Sequence, residues 1–299
     1  MAVERPLVSI ITINYNNTQV TVEMLHSVKY LTYPNVEVIV VDNASKESPV
    51  AAVQEAYPEV QLIISPRNLG FAGGNNLGIK VAKGEYLFFV NNDTVLTPDI
   101  LDGLVETFKD NPDAGAVSPK FHYYQAPGVI EYAGCGEINM FSGRNKTLGR
   151  GKKDYGQYDK FSLTHYAHGG GMMVPASVVR KVGMMPEMFF LYYEELDWCE
   201  QIKRAGYNIY YQPKSLIYHK ESMSVGKHST LKTFYINRNR ILFMRRNVKG
   251  WPLLVFTLFY TCCTIPKNVL LFLFRRETNH LKAFWHAFTW NVHNYRVKN

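Results

Sequence analysis

At 299 residues and 46% hydrophobic content, the chain can bury a sizeable core and is too apolar for intrinsic disorder. Its four cysteines form neither a CxxC pair nor a ligand-like cluster, which argues against a zinc site or disulfide framework and fits a reducing compartment. The formal charge of +8 is unevenly placed: 14 of the 33 Lys and Arg, but only Glu221 and Glu277 among the acids, lie from Lys220 onward, leaving 19 basic against 23 acidic residues, or −4, before it.

Residues 7–13 are a β-branched run that ends in Asn14, Tyr15, Asn16 and Asn17, and residues 36–41 repeat the pattern ahead of Asp42 and Asn43. Both are predicted as buried parallel strands. Between them, residues 18–30 carry Val20, Met24, Leu25 and Val28 on one side of a helix. The alternation continues with a helix over 48–57, a strand over 60–64, a helix over 73–82 and a strand over 86–90. This order predicts an α/β fold, a mostly parallel central sheet with helices on both faces. Polar residues follow nearly every strand, at Asn14, Asp42, Arg67 with Asn68, and 91–93. Ligands of open α/β sheets bind beyond the carboxyl ends of the strands, so these groups are expected at one site.

Residues 120–164 are irregular and are expected to hold a small sheet region with loops over that site. A helix is predicted over 194–205, ended by Gly206 as a C-cap, and short strands over 209–211 and 216–218 lead to His219. The character changes after Lys227. Residues 232–246 are a basic helical pattern, and an apolar run over 253–265 is interrupted by Pro266, Lys267 and Asn268 before resuming over 270–274. Neither piece reaches the roughly 20 apolar residues of a bilayer crossing. The expectation is therefore helices lying in a membrane interface, with Arg245, Arg246, Lys249, Arg275 and Arg276 at headgroups and Trp251, Trp285 and Trp290 as anchors. Burial in a helical subdomain or in a homo-oligomer contact is the alternative use of these runs. The chain is expected to divide into a catalytic domain over 1–227, with halves at 1–118 and 119–227, and a helical region over 228–299. Its N-terminus enters a strand pattern without the features of an export signal, so a cytoplasmic, peripheral place on the inner face of the plasma membrane is expected.

Three features carry chemistry. Asn91-Asn92-Asp93 directly follows an apolar strand, where a carboxylate can hold a hard divalent cation that in turn bridges a nucleoside diphosphate. An Asp capping a turn would look the same. The second feature is the run 67–76, a Gly-rich loop opening a helix, which lets backbone amides approach phosphate; it lacks the GK[ST] of a Walker loop and the GxGxxG of a dinucleotide site. The third is Glu194-Glu195-Leu196-Asp197, three acids in a first helical turn. The helix dipole accounts for one or two of them. A carboxylate placed against an acceptor hydroxyl is also the base that a single-displacement transfer requires.

With Val8 to Asn16, Val41-Asp42-Asn43-Ala44-Ser45, Asn68 to Asn76, Asn91-Asn92-Asp93, His168-Gly169-Gly170-Gly171-Met172, the acids 194–197 and His219, residues 6 to about 225 resemble the family 2 glycosyltransferases of GT-A fold, in particular the bacterial rhamnosyltransferase-like branch. The resemblance implies an inverting transfer of a sugar from a nucleotide-sugar donor. It assigns Asp42 to the base, and Asn14, Asn16 and Arg67 to the same pocket together with Asn68, Gly73, Asn75 and Asn92. Asp93 becomes the metal ligand of the family's DXD motif, for Mg2+ or Mn2+, with His219 completing the site. Asn91 departs from that motif, a neutral oxygen donor where Asp is often found. Glu195 falls on the second acid of the family pattern and is the base, with Glu194 and Asp197 as neighbours that orient it or bind acceptor. His168, Gly169 and Gly170 fall in the acceptor pocket.

The likeness favours deoxythymidine diphosphate rhamnose as donor, UDP-sugars next, and a saccharide or polyprenyl-diphosphate-linked acceptor in cell-surface polysaccharide assembly. Two other classes compete on the residues alone. A metal-dependent nucleotidyltransferase would need further acids and a basic triphosphate loop, neither of which is located. A nucleic-acid-binding protein is raised by the pI of about 9.1, but the basic residues sit among apolar runs, unlike a backbone-tracking groove, so no nucleic acid is expected.

Overall fold

A computed structural model describes residues 5–220 and 228–296. The β-branched runs become β1 (Val8–Asn14) and β2 (Val36–Asp42), joined by α1 (Thr18–Val28) and paired in parallel from Val8 opposite Val36 to Asn14 opposite Asp42. After α2 (Val50–Ala56) comes β3 (Gln61–Ile64), and after α3 (Gly70–Val81) comes β4 (Tyr86–Val90), giving a parallel block in the order β3-β2-β1-β4. Every residue of β4 is buried, which is why it reads as an unbroken apolar run rather than an alternating one.

Beyond β4 the sheet becomes mixed. The remaining elements are β5 (Thr94–Leu96), α4 (Ile100–Asp110), β6 (Ala114–Tyr123), β7 (Ile130–Tyr132), β8 (Ser162–Leu163), β9 (Gly171–Pro175), α5 (Ala176–Val182), α6 (Glu194–Arg204) and β10 (Asn208–His219). The sheet continues β4-β9-β6-β10-β5, with β9 antiparallel to both β4 and β6. This insertion sets Gly171 opposite Val90, so the segment entering β9 lies beside the residues leaving β4.

Several boundaries differ from the sequence expectation for identifiable reasons. The two short strands before His219 are one strand, β10, whose pairing with β6 shifts between Gln212 and Leu216. Pro213, which has no N–H to give a ladder, lies inside that shift. Helix α3 starts at Gly70 instead of 73, so Gly73 and Asn75 lie within it and not in the loop ahead. Its glycines serve packing: a Cβ on Gly78 would sit 2.5 Å from Ile11 Cγ2 and one on Gly74 2.8 Å from Ile13 Cδ1. The expected division at 118/119 falls inside β6.

Two compact units emerge. The first comprises Met1–Gly136, Thr147–Phe190 and Glu194–Ser224, the second Glu137–Lys146, Leu191–Tyr193 and Val225–Asn299. The expected boundary at 227/228 lies at the edge of 221–227, outside the described residues. In the second unit are α7 (Thr230–Asn247), capped by the Ser229 hydroxyl accepting from the Lys232 amide, α8 (Trp251–Phe274) and α9 (Thr278–His293). Leu242, Phe243, Met244, Phe256, Phe284 and Ala287 form its core.

Here the expected break at Pro266 is corrected. One helix runs through it, because the turn Tyr260–Thr264 is wound as π-helix just ahead of the proline and absorbs the missing donor. At 24 residues α8 is long and apolar enough, by length and composition, to cross a membrane. Arg245 is also not a headgroup cation: its guanidinium donates to the carbonyls of Asn291 and Asn294, at 3.1 Å each, at the end of α9.

Candidate active site

The carboxyl ends of β1, β2 and β4 are tied by one chain of hydrogen bonds. Asn92 Nδ2 donates to Thr21 Oγ1 at 2.9 Å, Thr21 Oγ1 donates to Asn14 Oδ1 at 2.8 Å, and Asn14 Nδ2 donates to Asp42 Oδ1 at 2.8 Å. Asp42, 2% exposed, also accepts from the hydroxyl and the amide of Ser45. Asn14 and Asn92 both belong to this network, and Thr21, invisible as a site residue in the sequence, is the link between them. Asn16 is exposed in a left-handed conformation (φ 54), with its amide on Ser45 Oγ.

Arg67 is exposed beside this end of the sheet, and Asn68 Oδ1 accepts from Gly70 N at 2.8 Å and Asn43 Nδ2 at 3.1 Å. Asn43 holds the loop further through Leu69 N and Gly70 O. Gly70 has φ +72, and a Cβ there would lie 2.2 Å from the Phe190 carbonyl, so only glycine lets this loop meet the segment ahead of α6. Gly73 and Asn75 are buried, and Asn75 Nδ2 donates to Phe71 O.

Asp93 follows β4, and β10 delivers His219 to it: His219 Nε2 lies 3.1 Å from Asp93 Oδ1, with both side chains buried. On the other ring face, His219 Nδ1 lies 2.8 Å from Glu131 Oε2, on β7. Burial alone would depress His219, but the hydrogen bonds and charges of Asp93 and Glu131 outweigh it and raise its pKa to about 10. Burial pushes Glu131 up, and the His219 hydrogen bond with the nearby positive charge of His219 and Arg150 brings it below its usual range. Glu131 was missed by the sequence: it is one acid in an irregular stretch, placed only by the pairing of β7 with β6.

His168 stacks on Phe121 with ring centroids 4.2 Å apart and accepts the Gly170 amide on Nδ1, which leaves the proton on Nε2, 3.9 Å from Glu131 Oε1. Burial drives its pKa down to about 4, so it is a neutral donor. The Gly170 carbonyl accepts from Asn91 N at 3.1 Å, joining this segment to the residues after β4.

The acids of α6 differ in environment. Glu194 and Asp197 are 3% and 0% exposed, and Asp197 accepts from Gln201, whereas Glu195 is half-buried. Glu195 lies against Gly169, where an added Cβ would be 3.3 Å from its Cγ. Ahead of these acids, Phe190, Tyr192 and Tyr193 all have positive φ, at 63°, 69° and 74°. Three such residues in four positions cost energy, and strain of this kind gathers where side chains must be aimed.

Hydrogen bonds and contacts thus link Asp42 to the end of β4 through Asn14, Thr21 and Asn92, Asp93 to His219, Glu131 and His168, and Gly169 to Glu195, all within the first unit. Among the described residues, no group of three or more His, Cys, Asp or Glu is spaced to cage a metal. Glu131 faces the far nitrogen of His219, so once a cation displaces the proton between Nε2 and Asp93 the protein offers two converging donors, an oxygen and an imidazole. That set fits a divalent cation, which Asp93 and His219 would hold, with Glu131 fixing the imidazole from behind.

The profile of the family described as Glycosyl transferase family 2 matches residues 9–183. A low-salt glycan biosynthesis hexosyltransferase of Haloferax volcanii is 26% identical over 205 residues, 67% of this chain and 63% of that protein. An N-acetylglucosaminyl-diphospho-decaprenol L-rhamnosyltransferase of Mycobacterium tuberculosis is 23% identical over 263 residues, covering 81% of this chain and 85% of that one. Of two of the curated relatives it matches, the chain spans 28% and 63% of the length. A mannosyltransferase from Pyrobaculum calidifontis, solved with GDP-Man and Mn2+, superposes with a TM-score of 0.59 at 18% identity, over 96% of this chain and 87% of that one. The fold is the mixed α/β fold of GT-A type.

Proposed function

The chain belongs to glycosyl transferase family 2 and is a glycosyltransferase acting on sugar nucleotides; on that premise we propose that it moves a hexose, rhamnose foremost, with inversion, from a nucleoside diphosphate to a saccharide or polyprenyl-diphosphate-linked acceptor. The observation that carries this is the meeting of Asp93 with His219 at 3.1 Å while Glu195 lies against Gly169, the neighbour in sequence of His168, whose imidazole faces Glu131. The chemistry is assigned to the first unit and the membrane-facing helix to the second.

In the reaction, Glu195 accepts the proton of the acceptor hydroxyl as its oxygen bonds to the anomeric carbon. The bond from that carbon to the diphosphate oxygen breaks on the opposite face, and the nucleoside diphosphate leaves. Asp93 and His219 would hold a divalent cation, Mg2+ or Mn2+, which would supply charge neutralisation for the departing diphosphate. Asp42 receives the base, with Asn16 and Arg67 bordering it. His168, as a neutral Nε2 donor, holds an acceptor hydroxyl. Gly169 and Gly170 leave room for the acceptor.

Glu195→Gln tests this reading. Turnover should fall about 100-fold or more for loss of a positioned base, while calorimetric affinity for the nucleoside diphosphate stays unchanged. An unaltered rate would move the base elsewhere.

The rhamnosyltransferase relative is named for a diphospho-decaprenol acceptor, which supports placing this chain at the cytoplasmic face of a membrane. One side of α8 is packed through Phe256, Tyr260 and Thr264 at helical spacing, while Trp251, Leu254, Leu258, Leu270, Leu273 and Phe274 are exposed. A helix packed on one side and apolar on the other lies on a bilayer surface.

A further inference from the structure

The second unit holds a cavity that this chemistry does not use. It has a volume of about 480 Å³ and opens between the start of α7, the end of α8 and the start of α9. Lys232, from the first turn of α7, and Arg275, just past α8, line it with His228 and His280. Thr233 adds a hydroxyl 2.8 Å from His280 Nδ1, and Glu277 is the carboxylate in the lining. Helices of 18 and 16 residues both begin at its wall, which adds to the positive potential. Two permanent cations, two imidazoles and a hydroxyl in one concave wall match the oxygens of a phosphate. Glu277 can accept from a hydroxyl carried beside that phosphate.

The neighbouring residues decide between a soluble phosphate and a lipid. Exposed apolar residues adjoin the lining along the chain: Leu231 precedes Lys232, and Leu273 with Phe274 precede Arg275, Phe274 being 89% exposed. Exposed apolar side chains next to the lining offer nothing to a soluble ion, yet suit a ligand whose phosphate enters the cavity while its acyl chains stay outside. We infer that this cavity receives the phosphate headgroup of an anionic membrane lipid. The inference rests on the membrane association proposed above and adds a defined headgroup site to it.

The test is co-sedimentation of the full-length chain with phosphatidylcholine vesicles, with and without phosphatidylglycerol. Thr233→Trp fills the cavity without changing charge, and Lys232→Gln with Arg275→Gln removes its cations. Each lost cation should weaken binding to phosphatidylglycerol vesicles about fivefold. Thr233→Trp should weaken it comparably, with binding to neutral vesicles unchanged. Wild-type binding by Thr233→Trp would mean diffuse charge attraction and overturn the site. Should that variant fail to fold, the comparison is with Lys249→Gln plus Lys267→Gln, two exposed cations outside the cavity; equal losses in both pairs overturn it as well. Full competition by inorganic phosphate would assign the cavity to a free ion and remove the lipid. A wild-type chain that ignores both vesicles would fail the membrane proposal itself, whereas binding that all variants share would fail only this inference.

Discussion

His219 makes the division of labour at the site concrete. Asp93 and His219 were legible because each follows an apolar strand and matches a family motif, whereas Glu131 has no motif and is found only once β7 folds beside β6. Its carboxylate, 2.8 Å from Nδ1, fixes which nitrogen is presented to Asp93. Glu131→Ala should therefore weaken Mn2+ binding, measured calorimetrically with nucleoside diphosphate present, by about 10- to 100-fold, and Glu131→Gln, which still accepts from Nδ1–H, should recover part of it. Unchanged Mn2+ affinity in the alanine variant would make Glu131 a packing residue. Asp154 gives a second test, away from the chemistry. Its burial works against ionisation, but Lys120, the Gly156 amide and His122 hold it at about 2. A carboxyl depressed on folding contributes stability that is complete above its unfolded value of 3.8 and is lost as pH falls toward 2. Between pH 5 and pH 2, Asp154→Asn should consequently lose less stability to acid than the parent chain, as read by urea unfolding at each pH.

At the scale of elements, periodicity recovered the strand and helix order of residues 7–90 because parallel strands buried on both faces leave apolar runs and covering helices leave spaced ones. It failed where backbone geometry decides: the register shift at Pro213, and the π-wound turn that carries α8 through Pro266. Residues 232–246 read as a basic helical pattern, yet Arg240 on α7 is 2% exposed within the second unit. Nε and Nη1 have no hydrogen-bond partner, and the guanidinium rests over the Tyr260 ring at 5.0 Å. Burial, and then the charge of Arg144, pull its pKa down. A charge buried without an anion is costly, and replacing such a group by an apolar one of similar size is often neutral or stabilising by roughly 1–4 kcal/mol. Arg240→Met should raise or preserve the free energy of urea unfolding. A loss beyond about 2 kcal/mol would show that stacking on Tyr260 outweighs the desolvation.

For the whole molecule, charge and apolar surface divide between the units: the residues proposed for chemistry lie in the first, and the exposed apolar helix lies in the second. The sequence foretold that asymmetry through its basic tail, but not that Glu137–Lys146 and Leu191–Tyr193 belong to the second unit, since inserted segments carry no signature of the core they join. In that core Asn239 Nδ2 donates to the carbonyls of Leu191 and Tyr192, at 2.7 Å each. If α8 is a membrane-facing element and not an oligomer contact, a charge on its exposed side should act on one function only. Leu258, 55% exposed, is the position to change. Leu258→Glu forfeits about 1.5–3 kcal/mol of apolar burial in the bilayer, so binding to neutral and anionic vesicles alike should fall about tenfold or more. That loss should persist at high salt, where attraction between exposed charges is screened. Turnover on a soluble acceptor and nucleoside diphosphate affinity should stay at parent values, because neither depends on lipid. Dissociation of an oligomer in light scattering, with vesicle binding intact, would instead assign this side of α8 to a second copy of the chain.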